Sequence, residues 1–293
     1  MTRARRRPRL RLATILALAL ALASCVPPER ELILARDYEI DTVMGEIQER
    51  GHIIIGIAQD AYPLGYVDHN NEAQGFTVAL GRKIADTLGV EARFISGPSE
   101  ELLELPKRDL ADVTFPAITI RGPLVRKYAF TDPYFISHQR LLASGRGSEQ
   151  VTVEDLAGRS VCSLAPEETG TALNVLDENI EVFDADPQGC LRLLQRDRVA
   201  ALTGPDYLLA GLRDGDRDNL VVTGEQLTTE ALGAVLERGA SAWVDFVNGV
   251  LYLAEQEGDW QAAYRDTMQD ALGPRDLPTM TLEEAAALYP AGV

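Results

Sequence analysis

The chain has 293 residues, enough for two ordinary domains, and its 46% hydrophobic and 25% charged content is that of a globular protein rather than a disordered one. A net charge of −17 repels nucleic acid and anionic lipid surfaces, which excludes a polybasic partner site. Three His and three Cys, with neither His-Glu-x-x-His nor paired Cys-x-x-Cys spacing, give no metal-ligand set, and no cofactor is implied.

The N-terminus carries Arg3, Arg5, Arg6, Arg7, Arg9 and Arg11 without an acid, then an apolar run over 12–22 and small residues ending at Cys25. This pattern predicts a secretory signal over 1–24, too short for the ~20 apolar residues of a membrane span. Residues 25–45 are polar and proline-marked and read as a tether leading into a helix. The run Ile53-Ile54-Ile55-Gly56-Ile57 fits a parallel strand buried on both faces. Apolar Val78, Leu80, Ile84, Ala85 and Leu88 at helical spacing predict a helix over 76–88, closed by Gly89. A strand over 91–95, a helix over 98–105 entered by Ser99 and a strand over 111–114 complete a βαβαβ order, the mark of an α/β domain.

The Gly/Ser stretch 144–148 is a natural crossing point, after which the order restarts. Strands are predicted over 160–164, 180–183 and 199–202, with helices over 171–176, 190–195 and 207–212. One further strand over 231–236 precedes an amphipathic helix over 242–255 that carries Trp243, Phe246, Val247, Val250, Leu251 and Leu253. A polar tail follows Pro274, with a short helix near 282–288. Two α/β lobes with a hinge leave an inter-lobe cleft able to close on a solute, although two independent domains fit the pattern equally well. With Cys25 set aside, Cys162 and Cys190 in an exported chain read as a disulfide, the alternative being two buried thiols.

Several motifs in order carry a resemblance. Leu22-Ala23-Ser24-Cys25 resembles a bacterial lipobox, which implies lipidation of Cys25 and a mature protein anchored outside the cytoplasm without crossing the membrane. Arg50-Gly51-His52-Ile53-Ile54-Ile55-Gly56-Ile57, Gly75-Phe76-Thr77-Val78-Ala79-Leu80, Phe130-Thr131-Asp132-Pro133-Tyr134, Asp155-Leu156-Ala157-Gly158 and Gly258-Asp259-Trp260 are similar to segments of the family 3 extracellular solute-binding proteins. In particular they resemble glutamate/glutamine-binding lipoproteins of ABC importers. The resemblance implies an α/β, two-lobed type II periplasmic-binding-protein fold with hinge and inter-lobe cleft. Lobe one would span 46–142 and 235–275, lobe two 146–230, and a tail 276–293. It also implies a small polar solute, an ABC importer permease as partner, and a monomer.

An amino acid needs a cation and backbone N–H donors for its carboxylate, acids for its ammonium and a shaped wall for its side chain. The family's carboxylate-binding arginine aligns with Leu124, although Thr119 is kept and Arg121 stands nearby. The helix-start Gly-Thr-Thr aligns with Pro166-Glu167-Glu168, with Thr169-Gly170-Thr171 as a shifted alternative. The ammonium-binding acids align with Pro205 and Ala58, beside Asp206 and Asp60. Tyr62, Tyr66 and Tyr134 are candidate walls, Tyr134 equally a core residue. Trp243 and Trp260 read as core, His69 and His138 as surface or loop, and Asp112 as a structural acid.

Three readings stay open: a binder of something other than a standard α-amino acid, an amino-acid binder with shifted ligands, and a sensor or interaction lipoprotein without transport. Two acids in place of Thr-Thr tilt the pocket toward a cationic or neutral polar ligand. Some relatives of this fold are dehydratases. Without a nucleophile–base pair or metal set, a binder rather than an enzyme is expected.

Overall fold

The computed structural model describes residues 37–145, 151–164, 173 and 177–290. Cys25, the signal segment, the helix predicted over 171–176 apart from Leu173, and the candidates Glu167, Glu168, Thr169, Gly170 and Thr171 lie outside the described residues. Helix α1 (Val43–Arg50) opens on the side chain of Thr42, which accepts from the Gly45 amide at 3.1 Å, and stops at Gly51, φ +75°. Strand β1 (His52–Ala58) follows at once. Ile53, Ile55 and Ile57 are fully buried on one face, and on the other Ile54 is half-buried while Gly56 and Ala58 are buried, so it reads as a run rather than an alternation.

A three-stranded meander comes next, β2 (Asp60–Ala61), β3 (Gly65–Val67) and β4 (Ala73–Gln74). Helix α2 (Phe76–Leu88) carries the predicted apolar face inward. It is entered at Gly75, φ +109°, where a Cβ would lie 2.8 Å from the Pro63 carbonyl oxygen. Strand β5 (Glu91–Gly97), the single-turn helix α3 (Ser99–Leu102) and strand β6 (Val113–Phe115) complete the first βαβαβ run, with β1 parallel to both β5 and β6. Helix α4 (Gly122–Lys127), strand β7 (Ala129–Phe130) and a returning strand β15 (Val235–Leu236) close the first sheet, in the order β5-β1-β6-β15-β7.

The second sheet repeats the plan. Parallel β10 (Ser160–Ser163), β11 (Glu181–Asp184) and β12 (Ala201–Pro205) are joined by antiparallel β9 (Gln139–Ser144) and β13 (Leu220–Thr223), in the order β11-β10-β12-β9-β13. Helices α5 (Pro187–Gln195) and α6 (Asp206–Asp214) pack on it. Since Gln139 already pairs in this sheet, the chain changes lobes at His138, ahead of the Gly/Ser stretch at 144–148. The return at 231–236 is also two strands rather than one. β14 (Glu230–Leu232) pairs with β8 (Phe135–Ser137) between the lobes, and the chain bends at Gly233 before β15. A Cβ at Gly233 would sit 2.9 Å from Ile120 Cδ1 and 3.1 Å from the Thr131 carbonyl oxygen, so a larger residue would have to displace both neighbours at the bend.

Helices α7 (Ser241–Glu257) and α8 (Asp259–Thr267) return across the first lobe, and α9 (Gln269–Leu272) ends against α6 of the second, where Arg213 Nη2 donates to the Ala271 carbonyl at 2.9 Å. Trp243 and Trp260 are core, and the Trp260 indole donates to the Tyr134 carbonyl at 2.8 Å, tying α8 to the crossing strand. The last helix, α10 (Leu282–Leu288), starts with a capping box between Thr281 and Glu284 and packs beside α4. Among the described residues no helix is long and apolar enough to cross a membrane.

Cys162 and Cys190 form a disulfide with Cα atoms 5.5 Å apart, joining β10 to α5 across a sequence separation of 28 in the core of the second lobe. Closing a loop of this size restricts the unfolded chain by roughly 3 kcal/mol. The C162S/C190S double variant is expected to melt roughly 6–12 °C lower in a calorimetric scan. An unchanged melting temperature would show that the bond adds nothing.

Candidate functional site

In an open α/β sheet the carboxyl ends of the parallel strands are where ligands bind. In the first lobe β1 and β6 end at Ala58 and Phe115, and in the second β10 and β12 end at Ser163 and Pro205. Segments just beyond these ends meet across the gap. The Tyr207 hydroxyl, in the first turn of α6, donates to the Ala117 carbonyl at 3.4 Å. Ala117 is held at φ +49°, a costly left-handed conformation for alanine of the kind found at functional sites. Lower on the same helix, the Tyr62 hydroxyl of lobe one donates to Asp214 Oδ2 at 3.3 Å. A Cβ on Gly211 would lie 2.7 Å from the Tyr62 carbonyl oxygen, so the two lobes approach at backbone distance there.

The floor of the gap is the β8–β14 pair, with Ser137 opposite Glu230. Two carboxyls are buried beside it. Asp206 is 1% exposed, and its oxygens are both engaged, Oδ1 by the Ser137 hydroxyl at 2.9 Å and Oδ2 by Arg275 Nη2 at 2.6 Å. Its amide donates to the His138 carbonyl at 2.9 Å, fixing the start of α6 to the crossing strand. Glu230 is 2% exposed and accepts from the Thr228 hydroxyl at 3.1 Å. Burial pushes its carboxyl up to about 7, with Asp206 adding to the rise and the Thr228 bond and Arg121 opposing it. Tyr134 is 1% exposed, packed edge-on against Phe115, and its hydroxyl has no hydrogen-bond partner among the described residues.

The sequence-predicted residues separate into groups. Tyr62 and Tyr66 stand together at the rim, ring centroids 4.9 Å apart. Asp60 is exposed on β2 opposite Tyr66, and its charge reaches Tyr207. Thr119 is buried and bridged to Leu232 at the floor, and Arg121 caps the start of α4. Asp206 is at the gap but internally paired, so it is not free to receive a solute's amine. His138 lies outside any strand, as a loop residue between β8 and β9, and is half-buried at the joint, where its Nδ1 lies 2.9 Å from the Thr228 carbonyl oxygen. Asp112 is structural, accepting from the Ile54 amide at 2.7 Å and pairing with Arg50. Sequence reasoning missed Glu230 and Arg275. An acid at the head of an apolar strand was the available signal for Glu230, and Arg275, in a polar stretch after Pro274, offered none.

Leu124, where the resemblance places an arginine, packs with Leu282 and Ala286 of the last helix against a cluster of Ile120, Tyr128 and Ala285. The same tail crosses Gly122, whose amide donates to the Tyr289 carbonyl at 2.9 Å and whose Cβ would meet the Pro290 oxygen at 2.6 Å. Helix α4 thus lies against the chain's own C-terminal segment.

The profile of the bacterial extracellular solute-binding proteins, family 3, matches residues 53–269. The chain belongs to that family. This family 3 protein is 26% identical over 237 residues to the L-cystine-binding protein TcyJ of Escherichia coli (strain K12), covering 78% of this chain and 86% of that one. Among solved structures it is similar to the arginine-bound form of truncated ArgBP from T. maritima, at 26% identity and TM-score 0.59, covering 71% of this chain and 98% of that one. The solute receptor for L-cysteine of Neisseria gonorrhoeae shares its fold at 21% identity and TM-score 0.65, covering 80% and 97%. The family 3 protein thus has the two-lobed type II periplasmic-binding fold, and Arg275, α10 and Tyr289 lie past the matched residues.

Because the folded-state value of Glu230 is raised, the native state holds this proton more tightly than the unfolded chain. The stabilisation is complete at low pH and is lost as pH rises through the range up to about 7. The E230Q variant is therefore expected to gain stability at pH 8, by up to ~3 kcal/mol, and to show a flatter pH dependence between pH 5 and 8 in denaturant titrations. Parallel pH profiles for both proteins would refute this assignment. G211A should weaken solute binding by about tenfold or more, since its methyl cannot sit against the Tyr62 backbone while the lobes touch, and calorimetry measures that loss.

Proposed function

We propose that this protein is an extracytoplasmic solute-binding lipoprotein, anchored through Cys25, that closes its lobes on a small polar, amino-acid-like solute and delivers it to the permease of an ABC importer. The observation that carries this reading is the gap itself: two sheets present their carboxyl ends to it, and the lobes on either side are joined by the paired β8 and β14 strands. A cleft of this design closes by rotation about its joint and hides a solute from water. The relatives named as cystine-binding and arginine-bound support an amino-acid-like guest. The changed anchors support a guest held differently from a standard α-amino acid. We read the protein as a monomeric binder and not as an enzyme, since the raised Glu230 sits in the floor of the gap, bonded to Thr228.

A sensor or interaction lipoprotein on the same fold is the second reading. One observation favours it: Tyr207 reaches across the gap and takes a first-lobe carbonyl for itself.

Native mass spectrometry of the gently purified protein is expected to reveal one bound small polar molecule. Adding that molecule back to stripped protein should lower the radius of gyration in X-ray scattering. Palmitate labelling in the source cells should disappear in C25A. If no amino acid or related solute raises the melting temperature, transport is the wrong reading, and conversion of a bound solute followed by NMR would make the protein an enzyme.

A further inference from the structure

Asp206 stands just outside the carboxyl end of β12, at the start of a nine-residue helix, where this class of sheet places ligand contacts. The neighbouring Tyr207 hydroxyl reaches the opposite lobe, so this helix start faces the gap. A carboxylate there would ordinarily attract a cationic group of a solute. In this chain the cation is internal. Arg275 Nη2 lies 2.6 Å from Asp206 Oδ2, Arg275 Nη1 donates to the Ile136 carbonyl at 2.7 Å, and the guanidinium lies 5.4 Å from the centre of the Phe135 ring. The fork is thus fixed by the crossing strand on one side and by lobe two on the other. It arrives from a segment past the residues matched to the family, which α10 anchors to lobe one through Ala285 and the Leu282–Asp132 hydrogen bond of 2.7 Å.

We propose that Arg275 is a specificity-determining residue of the cleft: as a built-in counter-cation for Asp206, it makes the site select uncharged polar solutes over cationic ones. The inference rests on the solute-binding reading and narrows it. A solute ammonium or guanidinium would have to displace a group that is covalently part of the chain and already holds a carbonyl and a ring face. A neutral polar solute meets no such competition, and an anionic one meets a cation whose charge is already spent on Asp206.

The test uses the full-length chain and four probes, L-glutamine, L-cystine, L-arginine and L-glutamate, with affinities from calorimetry. R275M leaves Asp206 without its cation and is expected to shift the ratio of L-arginine to L-glutamine affinity toward L-arginine by about tenfold or more. D206N leaves Arg275 without its anion while keeping an acceptor for Ser137, and should shift selectivity toward L-glutamate. R275K keeps the charge and should keep the wild-type order. The selectivity ratio separates this role from a structural one, since simple loosening of the joint would weaken all four probes together. Unchanged ratios in whichever of R275M and D206N folds would overturn the assignment of Arg275 alone. Failure of the wild type to bind any of the four would overturn the amino-acid-like reading and this inference with it.

Discussion

A carboxylate taken out of water costs several kcal/mol unless other groups replace the solvent, and the joint between the lobes buries two of them. Asp206 is handled by full pairing, with a hydroxyl on one oxygen and a guanidinium on the other. Glu230 is handled largely by holding its proton, with Thr228 bonded to it. Both solutions depend on the crossing strands: Ser137 lies opposite Glu230 and bonds Asp206, and the carbonyls of Ile136 and His138 receive Arg275 and the Asp206 amide. The joint is therefore a polar assembly drawn from the crossing strands, the start of α6 and the C-terminal segment. Removing Arg275 would leave the Asp206 charge buried without its counter-ion.

This arrangement explains why the segment past the family match is folded against the body. Its capping box starts α10, its apolar residues pack on the same cluster as Leu124, and Arg275 is delivered to Asp206. The path of the tail places the last helix beside α4 and the Arg275 cation on Asp206.

The elements most readable from sequence were those whose burial is periodic. Helix α2 has the boundaries that its spacing and Gly89 predict, the last helix falls at the expected 282–288, and Ile53 to Ile57 form the strand that their run implies. Of the two states the sequence left open for Cys162 and Cys190, the bonded one is found. Less readable were segments whose partners lie far along the chain. Gln139–Ser144 gave no strand signal of its own because its apolar run is short, yet it is the centre of contact between β12 and β13. The split of 231–236 turned on one glycine between two different partner strands. Of the candidate site, Tyr62, Thr119 and Asp206 lie at the gap, and Asp206, for which the sequence offered a solute as partner, pairs with an arginine 69 positions away.

By itself the sequence determined the α/β alternation, the arginine-rich and apolar N-terminal pattern and the presence of a second and third cysteine, because each is a local fact of residue type and spacing. Only the tertiary structure decided that His138 and Glu230 belong to the joint, that the tail packs on the same cluster as Leu124, and that Arg275 neutralises Asp206. Those contacts join residues dozens to more than a hundred positions apart. Their energy comes from shared burial, and no periodicity along one segment encodes which distant side chain will share it.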